Sequence, residues 1–357
     1  MSLNDSGLKL FGETQFSREQ FLLPRLVDLT KHHYEHCVEY ARMIDAFSPG
    51  WETAKTIEEL PFIPVGMFKE RRLSSVPEAE IFKTVTSSGT TGQRVSQVVL
   101  DRETSKRQSN ALLEILGEVL GKNRLPMLII DAEDTIKSRH SRNARAAGII
   151  GLMSLGRKFT FSNDNEMMPS EEQLTDFLAE HGHQPFLVFG FTFMVWQYLY
   201  QPYKDLGLDM SNAILVHSGG WKNLQDQSVD NSVFRERLSE SLGITKVFNF
   251  YGMAEQTGSI FIESDDTFLH PSLYSDVIIR DPLTLEPLPT GQPGVVQVLS
   301  VLPHSYPGHS ILTEDIGVIE NIDAQSNKLG GKSIRIIGRL PKSELRGCSD
   351  VHASTRG

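Results

Sequence analysis

The chain is short of cysteine, of long apolar runs and of clustered basic charge, and each shortage removes a class of protein. Cys37 and Cys348 are its 2 cysteines, far apart in a sequence of 357 residues. That is no disulfide framework, and a reducing cytoplasm is the expected compartment. No apolar stretch approaches the ~20 residues of a membrane-spanning helix, and the N-terminal residues lack the basic-then-apolar pattern of a signal peptide. Acidic side chains outnumber basic ones by 45 to 35, a net charge of −10, and no basic run is long enough for a nucleic-acid footprint. A chain of this charge binds a polyanion locally, through a backbone nest, a metal ion or a few cations. A Gly-Lys-Ser/Thr loop of the Walker type is also missing. With 39% hydrophobic and 22% charged residues, the composition is that of a globular protein with a large core.

What is present centres on Thr86-Ser87-Ser88-Gly89-Thr90-Thr91-Gly92, seven residues that are all hydroxyl-bearing or glycine. Glycine permits positive φ and close backbone approach to a ligand, and successive N–H groups in such a turn form an anion-binding nest. The flanking runs 81–85 and 95–100 read as strands, so the loop joins two strands. A run of this composition also suits a plain polar turn.

Upstream, residues 1–14 are polar. From Ser17, a plausible N-cap, to about Ile44, apolar residues recur at helical spacing, with His33 and Cys37 on the apolar stripe as core residues. Residues 60–65 form a proline-stiffened connector, and Lys69 beyond it reads as a solvated charge. After the hairpin, helices expected at 104–120, 143–155, 171–180, 191–196 and 225–242 alternate with apolar strands at 127–131, 186–190, 213–217 and 246–251. That order predicts βαβ units and parallel sheet, with ligands beyond the carboxyl ends of the strands. From about Leu269 short β-like runs between Pro/Gly turns take over, predicting a β-rich subdomain. The expected organisation is a helical part (1–80), an α/β core (81–268), a β-rich subdomain (269–337) and a tail (338–357).

Four further stretches fall at or beyond strand ends. His217-Ser218-Gly219-Gly220-Trp221-Lys222 follows a strand. Its glycines allow a flat base against the backbone, with Trp221 as a cover, although a Gly-Gly turn needs no ligand. Tyr251-Gly252-Met253-Ala254-Glu255 comes next, where Glu255 also reads as an ordinary carboxylate at a helix N-terminus. Thr313-Glu314-Asp315-Ile316-Gly317 and Gly338-Arg339 complete the set.

Taken in order with residues 86–92, these blocks resemble those of the adenylate-forming enzymes, the acyl-CoA synthetases, luciferases and their relatives. The resemblance implies an α/β fold of the acyl-CoA synthetase/luciferase kind. It implies ATP and magnesium as cofactors, with the phosphates held by Thr86 to Gly92. Gly219, Gly220, Trp221, Tyr251 and Gly252 would lie at adenine, Glu255 on magnesium, Asp315 on both ribose hydroxyls and Arg339 on ribose or phosphate. In most of that family a lid domain with a catalytic lysine follows the hinge arginine. Here 18 residues follow Arg339, so most of a lid is expected to be missing, and Lys222 is the candidate to replace its lysine.

The short length, the Gly-Gly-Trp-Lys block and the Arg346-Gly347-Cys348-Ser349 tail resemble the LuxE-type acyl-protein synthetases. That resemblance implies a fatty acid substrate, an acyl-adenylate intermediate, transfer of the acyl group to Cys348 and delivery to an acyl-CoA-reductase-like partner. Arg346 and Lys342 could lower the thiol pKa, and Phe189, Phe191 and Phe193 cluster where the family builds its acyl pocket. An acyl- or aryl-CoA ligase of the phenylacetate type, or a nucleotide-binding protein without turnover, are the competing readings.

Overall fold

The N-terminal helical pattern resolves into two helices in the computed structural model, which describes residues 7–86, 95–137, 144–221, 229–325 and 328–340. Helix α1 (Gln15–His36) starts two residues before the expected Ser17, because Thr14 is the N-cap and its hydroxyl accepts from the Ser17 N–H. The backbone turns extended at Cys37, and α2 (Val38–Phe47) follows. The expected single helix is therefore broken. Its apolar periodicity ran through the break because both helices face the interior, where Leu22, Leu26, Cys37, Tyr40 and Ile44 are all buried. Arg18, fully buried, fastens α1 to the sheet by donating from Nη2 to the carbonyls of Ser272 and Ser275, each at 2.8 Å.

The connector is less passive than expected. Ile63–Pro64 forms β1, and α3 (Met67–Glu70) follows it directly. The hairpin of β2 (Lys83–Thr86) and β3 (Gln97–Leu100) pairs antiparallel, with Thr86 opposite Gln97 at the base of the loop. Asp101 caps α4 (Arg102–Leu120) by accepting from the Thr104 N–H at 2.7 Å. Then come β4 (Leu125–Ala132), α5 (Asp134–Lys137), α6 (Ala144–Met153), β5 (Gly156–Asn163), α7 (Glu171–His181) and β6 (Phe186–Phe191). A continuous helical stretch follows as α8 (Thr192–Met194), a π-helical segment Val195–Tyr200 and α9 (Gln201–Tyr203). The series closes with β7 (Ala213–Ser218), α10 (Asn231–Leu242) and β8 (Lys246–Tyr251). Helix α10 begins at Asn231 rather than at the expected Gln225. Strand β5 had no counterpart in the sequence reading, because its two phenylalanines are interleaved with polar residues and it carries no apolar run.

Strands β5-β4-β6-β7-β8 are parallel. The apolar runs of the inner strands β4, β6 and β7 are buried on both faces, as parallel sheet requires. Met127 and Ile129 pack with Ile115, Leu116, Ile149 and Leu152 of α4 and α6, while Leu128 and Ile130 pack with Leu174, Phe177, Phe234 and Leu238 of α7 and α10. The β-rich part continues the same sheet instead of forming its own. Strands β9 (Phe261–Glu263), β10 (Leu269–Pro271), β11 (Ser275–Arg280), β12 (Gly294–Ser300), β13 (Ser310–Ile322) and β14 (Lys332–Arg339) extend it antiparallel in the order β8-β9-β10-β14-β13-β12-β11. β1 joins β13 from the side, in parallel, with Ile63 opposite Ile311 and Pro64 opposite Leu312.

Candidate active site

Strands β13 and β14 supply the first pair of site residues. Asp315 and Arg339 are cross-strand partners, and Arg339 Nε donates to Asp315 Oδ1 at 2.9 Å. The hydroxyl of Thr313, itself donating to the Val296 carbonyl, accepts from the Asp315 N–H and fixes the approach of the strand. From the end of β8, the Tyr251 hydroxyl donates to the other oxygen, Oδ2, at 2.7 Å. Burial, followed by the charge of Asp315, pushes the Tyr251 phenol well above its ordinary pKa, so it stays a donor. A carboxylate oxygen has more than one acceptor direction. Asp315 is thus oriented by two donors and can still accept others.

Glu255 lies in the short turn Ala254–Gln256 and is 5% exposed. Burial raises its pKa; the Ser96 side chain, its own backbone and the charges of Lys69 and Arg339 act in the opposite sense. Lys69 was read as solvated. Instead the pairing of β1 with β13, continued by the Val65 N–H donating to the Leu312 carbonyl at 2.9 Å, brings the start of α3 beside β13. Lys69 Nζ comes to 3.9 Å from Glu314 Oε1. No motif marks this lysine in sequence, because strand pairing over some 250 residues brings it in.

The Gly219 block sits at the end of β7. Gly219 has φ +83, and an added Cβ would lie 3.4 Å from Phe191 Cδ1. Gly220 borders open space, while a Cβ on Gly252 would press to 3.0 Å on Ile260. The Ser218 hydroxyl donates to the Phe250 carbonyl at 2.7 Å, tying β7 to β8. The buried Glu263 carboxylate supports the same end by accepting from the Asn249 N–H at 3.0 Å. Trp221 packs edge-on against Trp196, at 5.5 Å between ring centroids, and against Phe234 at 6.1 Å. Phe189 is core and Phe191 lies edge-on to it. His217 is buried, pairs through Nδ1 with Thr192 Oγ1, and is pushed down to about 3 by burial and the charge of Arg235. Thr86 is the last described residue before the loop; Ser87, Ser88, Gly89, Thr90, Thr91, Gly92, Lys222 and Cys348 lie outside the described residues. A groove of about 470 Å³ along β5, lined by Glu133, Phe159, Asn163 and Gln173 among others, contains none of the site residues.

The fold is that of the adenylate-forming ligases. A 2-hydroxyisobutyryl-CoA ligase in an open conformation, in complex with 2-HIB-AMP and CoA, superposes with a TM-score of 0.71 at 19% identity, over 93% of this chain and 77% of that one. The same ligase in a postadenylation state gives 0.68 at 18% identity, over 92% and 69%. Within that class, the chain belongs to the acyl-protein synthetase (LuxE) family, whose description matches residues 11–355. It is 24% identical over 308 residues to a long-chain-fatty-acid–luciferin-component ligase of Aliivibrio fischeri, covering 82% of this chain and 78% of that one. The ligase of the same name from Vibrio harveyi is 24% identical over 338 residues, covering 89% and 84%. The chain is accordingly an enzyme of the ligase class.

Proposed function

We propose that this enzyme activates a fatty acid with ATP to an acyl-adenylate, and then takes the acyl group onto Cys348 as a thioester for an acyl-CoA-reductase-like partner. The observation that carries the reading is the Tyr251–Asp315–Arg339 constellation, a carboxylate in the middle of β13 held by two donors from the ends of β8 and β14. Such a carboxylate suits two vicinal ribose hydroxyls. The names of the relatives supply the fatty acid.

In the first step a carboxylate oxygen of the acid bonds to the α-phosphorus of ATP, and the bond to pyrophosphate breaks. Positioning and charge stabilisation dominate such chemistry. The loop from Thr86 to Gly92 would cradle the leaving phosphates, and Lys69 and Arg339, whose charges act on Glu255, would add positive charge. Magnesium fits Glu255: the ion is commonly bound by one or two carboxylates together with substrate phosphates, and a buried carboxyl pushed upward is relieved by a cation. Bound there, magnesium would neutralise phosphate charge. In the second step the Cys348 thiolate attacks the acyl carbonyl and AMP leaves. A cytoplasmic setting suits the reduced thiol, and no helix among the described residues is long and apolar enough to cross a membrane.

The test is fatty-acid-dependent ATP–pyrophosphate exchange, followed by denaturing electrophoresis of protein labelled with radioactive fatty acid. Exchange together with a hydroxylamine-labile label on the protein is expected. Exchange with release only of acyl-CoA would favour a CoA ligase, and no exchange would leave a nucleotide-binding protein.

A further inference from the structure

The segment 301–309, between β12 and β13, passes beneath the Glu255 turn, and its central side chain is the fully buried Tyr306. The Tyr306 hydroxyl donates to the backbone carbonyl of Glu255 at 2.8 Å and accepts from Gln108 Nε2 of α4 at 3.0 Å. Its ring stands edge-on to Phe68, the neighbour of Lys69, at 6.0 Å between centroids. The next residue of the turn is held by the same segment: Gln256 Nε2 donates to the carbonyls of Gly308, at 2.8 Å, and Val298, at 3.1 Å. Space here is closed. A Cβ on Gly308 would lie 2.2 Å from Tyr306 Cε2 and 2.8 Å from the Glu255 carbonyl.

The other side of the segment grips the phosphate-loop hairpin. Ser305 Oγ donates to the Val99 carbonyl of β3 at 3.0 Å, and the Ser305 N–H donates to Thr104 Oγ1 at 3.2 Å. Two adjacent residues therefore link the strand that leaves the loop to the turn that carries Glu255. Neither belongs to any recognised block, and the Tyr306 hydroxyl donates to backbone.

We propose that Tyr306 is a positioning residue for the adenylation site, its hydroxyl fixing the Glu255 backbone so that the Glu255 carboxyl stands in register with the phosphate-loop hairpin and Lys69. The inference rests on Glu255 as the magnesium-holding carboxylate. Loss of the hydroxyl leaves the Glu255 carbonyl without this donor and Gln108 Nε2 without this acceptor, among residues that are all buried. The carboxyl then samples positions away from the metal and phosphates, and metal-dependent nucleotide binding weakens while the fatty acid contacts are untouched.

The experiment compares Tyr306→Phe, which keeps the ring on Phe68, with the unaltered protein and with Glu255→Gln. Binding of Mn²⁺ in the presence of a non-hydrolysable ATP analogue is followed by electron paramagnetic resonance, and pyrophosphate exchange is titrated with Mg²⁺ and with fatty acid. Tyr306→Phe is expected to raise the Mn²⁺ dissociation constant and the half-saturating Mg²⁺ about tenfold, with an unchanged KM for fatty acid. Gln108→Leu, which leaves Tyr306 in place, is expected to shift both in the same direction by a smaller factor, and it replaces Tyr306→Phe if that variant fails to fold. A lowered melting temperature with Mn²⁺ and Mg²⁺ dependence equal to the unaltered protein overturns the inference and leaves Tyr306 a packing residue. If Glu255→Gln also binds Mn²⁺ normally, it is the reading of Glu255 that fails.

Discussion

Tyr251 and Asp315, 64 residues apart in sequence, share a hydrogen bond of 2.7 Å from phenol to carboxylate, and Arg339 holds the opposite oxygen at 2.9 Å. Three sequence blocks thus meet on one carboxylate. Arg339 is largely exposed, so its ion pair contributes little to folding; its value lies in aiming Asp315.

Asp315→Ala should therefore lower kcat/KM for ATP by at least about a hundredfold, ~2.7 kcal/mol, with the fold retained. Tyr251→Phe should cost about tenfold, since the carboxylate survives but loses one orienting donor. In a double-mutant cycle the two effects should fall short of additivity, because the residues touch. Additive losses in pyrophosphate exchange would show that they act separately.

Lys69→Met should reduce exchange by roughly ten- to a hundredfold while the melting temperature barely moves. The Lys69–Glu314 pair spans 3.9 Å and is about one-third exposed, which makes it worth under ~1 kcal/mol. Lys69→Arg should recover part of the rate. Full activity in the Met variant would return this lysine to the solvated charge that the sequence implied.

Cys348→Ser should keep pyrophosphate exchange and lose the hydroxylamine-labile acyl label, since a hydroxyl without a base is a weak nucleophile. Cys37 is the internal control: it is 1% exposed and burial pushes its thiol up, so it should stay unlabelled. Label that maps to Cys37, or that persists in the Ser variant, would refute the two-step route.

Acid should unfold the protein in a window set by its buried histidines. His217 and His309 are each held down to about 3, with burial the leading cause. In the unfolded chain a histidine titrates near ~6.5. Between those values the unfolded state binds more protons, so stability is full above ~6.5 and falls with pH, by up to ~1.4 kcal/mol per unit for each histidine. Urea unfolding at about pH 7, 6 and 5 measures the slope. His309→Gln should reduce it by about one proton; an unchanged slope would mean that this ring is not held neutral.

The parallel half was legible because burial on both faces writes itself as apolar runs in β4, β6 and β7; these strands and the partly buried β8 each fall within two residues of expectation. The break at Cys37 was not legible, since no glycine or proline marks it and both helices bury the same stripe. Strand β5 was hidden for the opposite reason, being a polar edge whose pairing with β4 is backbone work.

Side-chain types along the chain specify the chemistry on offer: a hydroxyl-glycine loop, a tyrosine-to-glutamate turn, an aspartate and an arginine, set among βαβ units and the strands that follow them. Those are local facts, carried by side-chain type and by the period of apolar residues. The expectation that every block falls at a strand end fails for Asp315, which lies inside β13. Which groups share a space is set by the folded chain. Pairing of β1 with β13 brought Lys69 to Glu314, the β13–β14 ladder set Asp315 against Arg339, and segment 301–309 put Tyr306 under Glu255. Register between distant strands depends on the summed packing of whole faces, and no single stretch of chain records that sum.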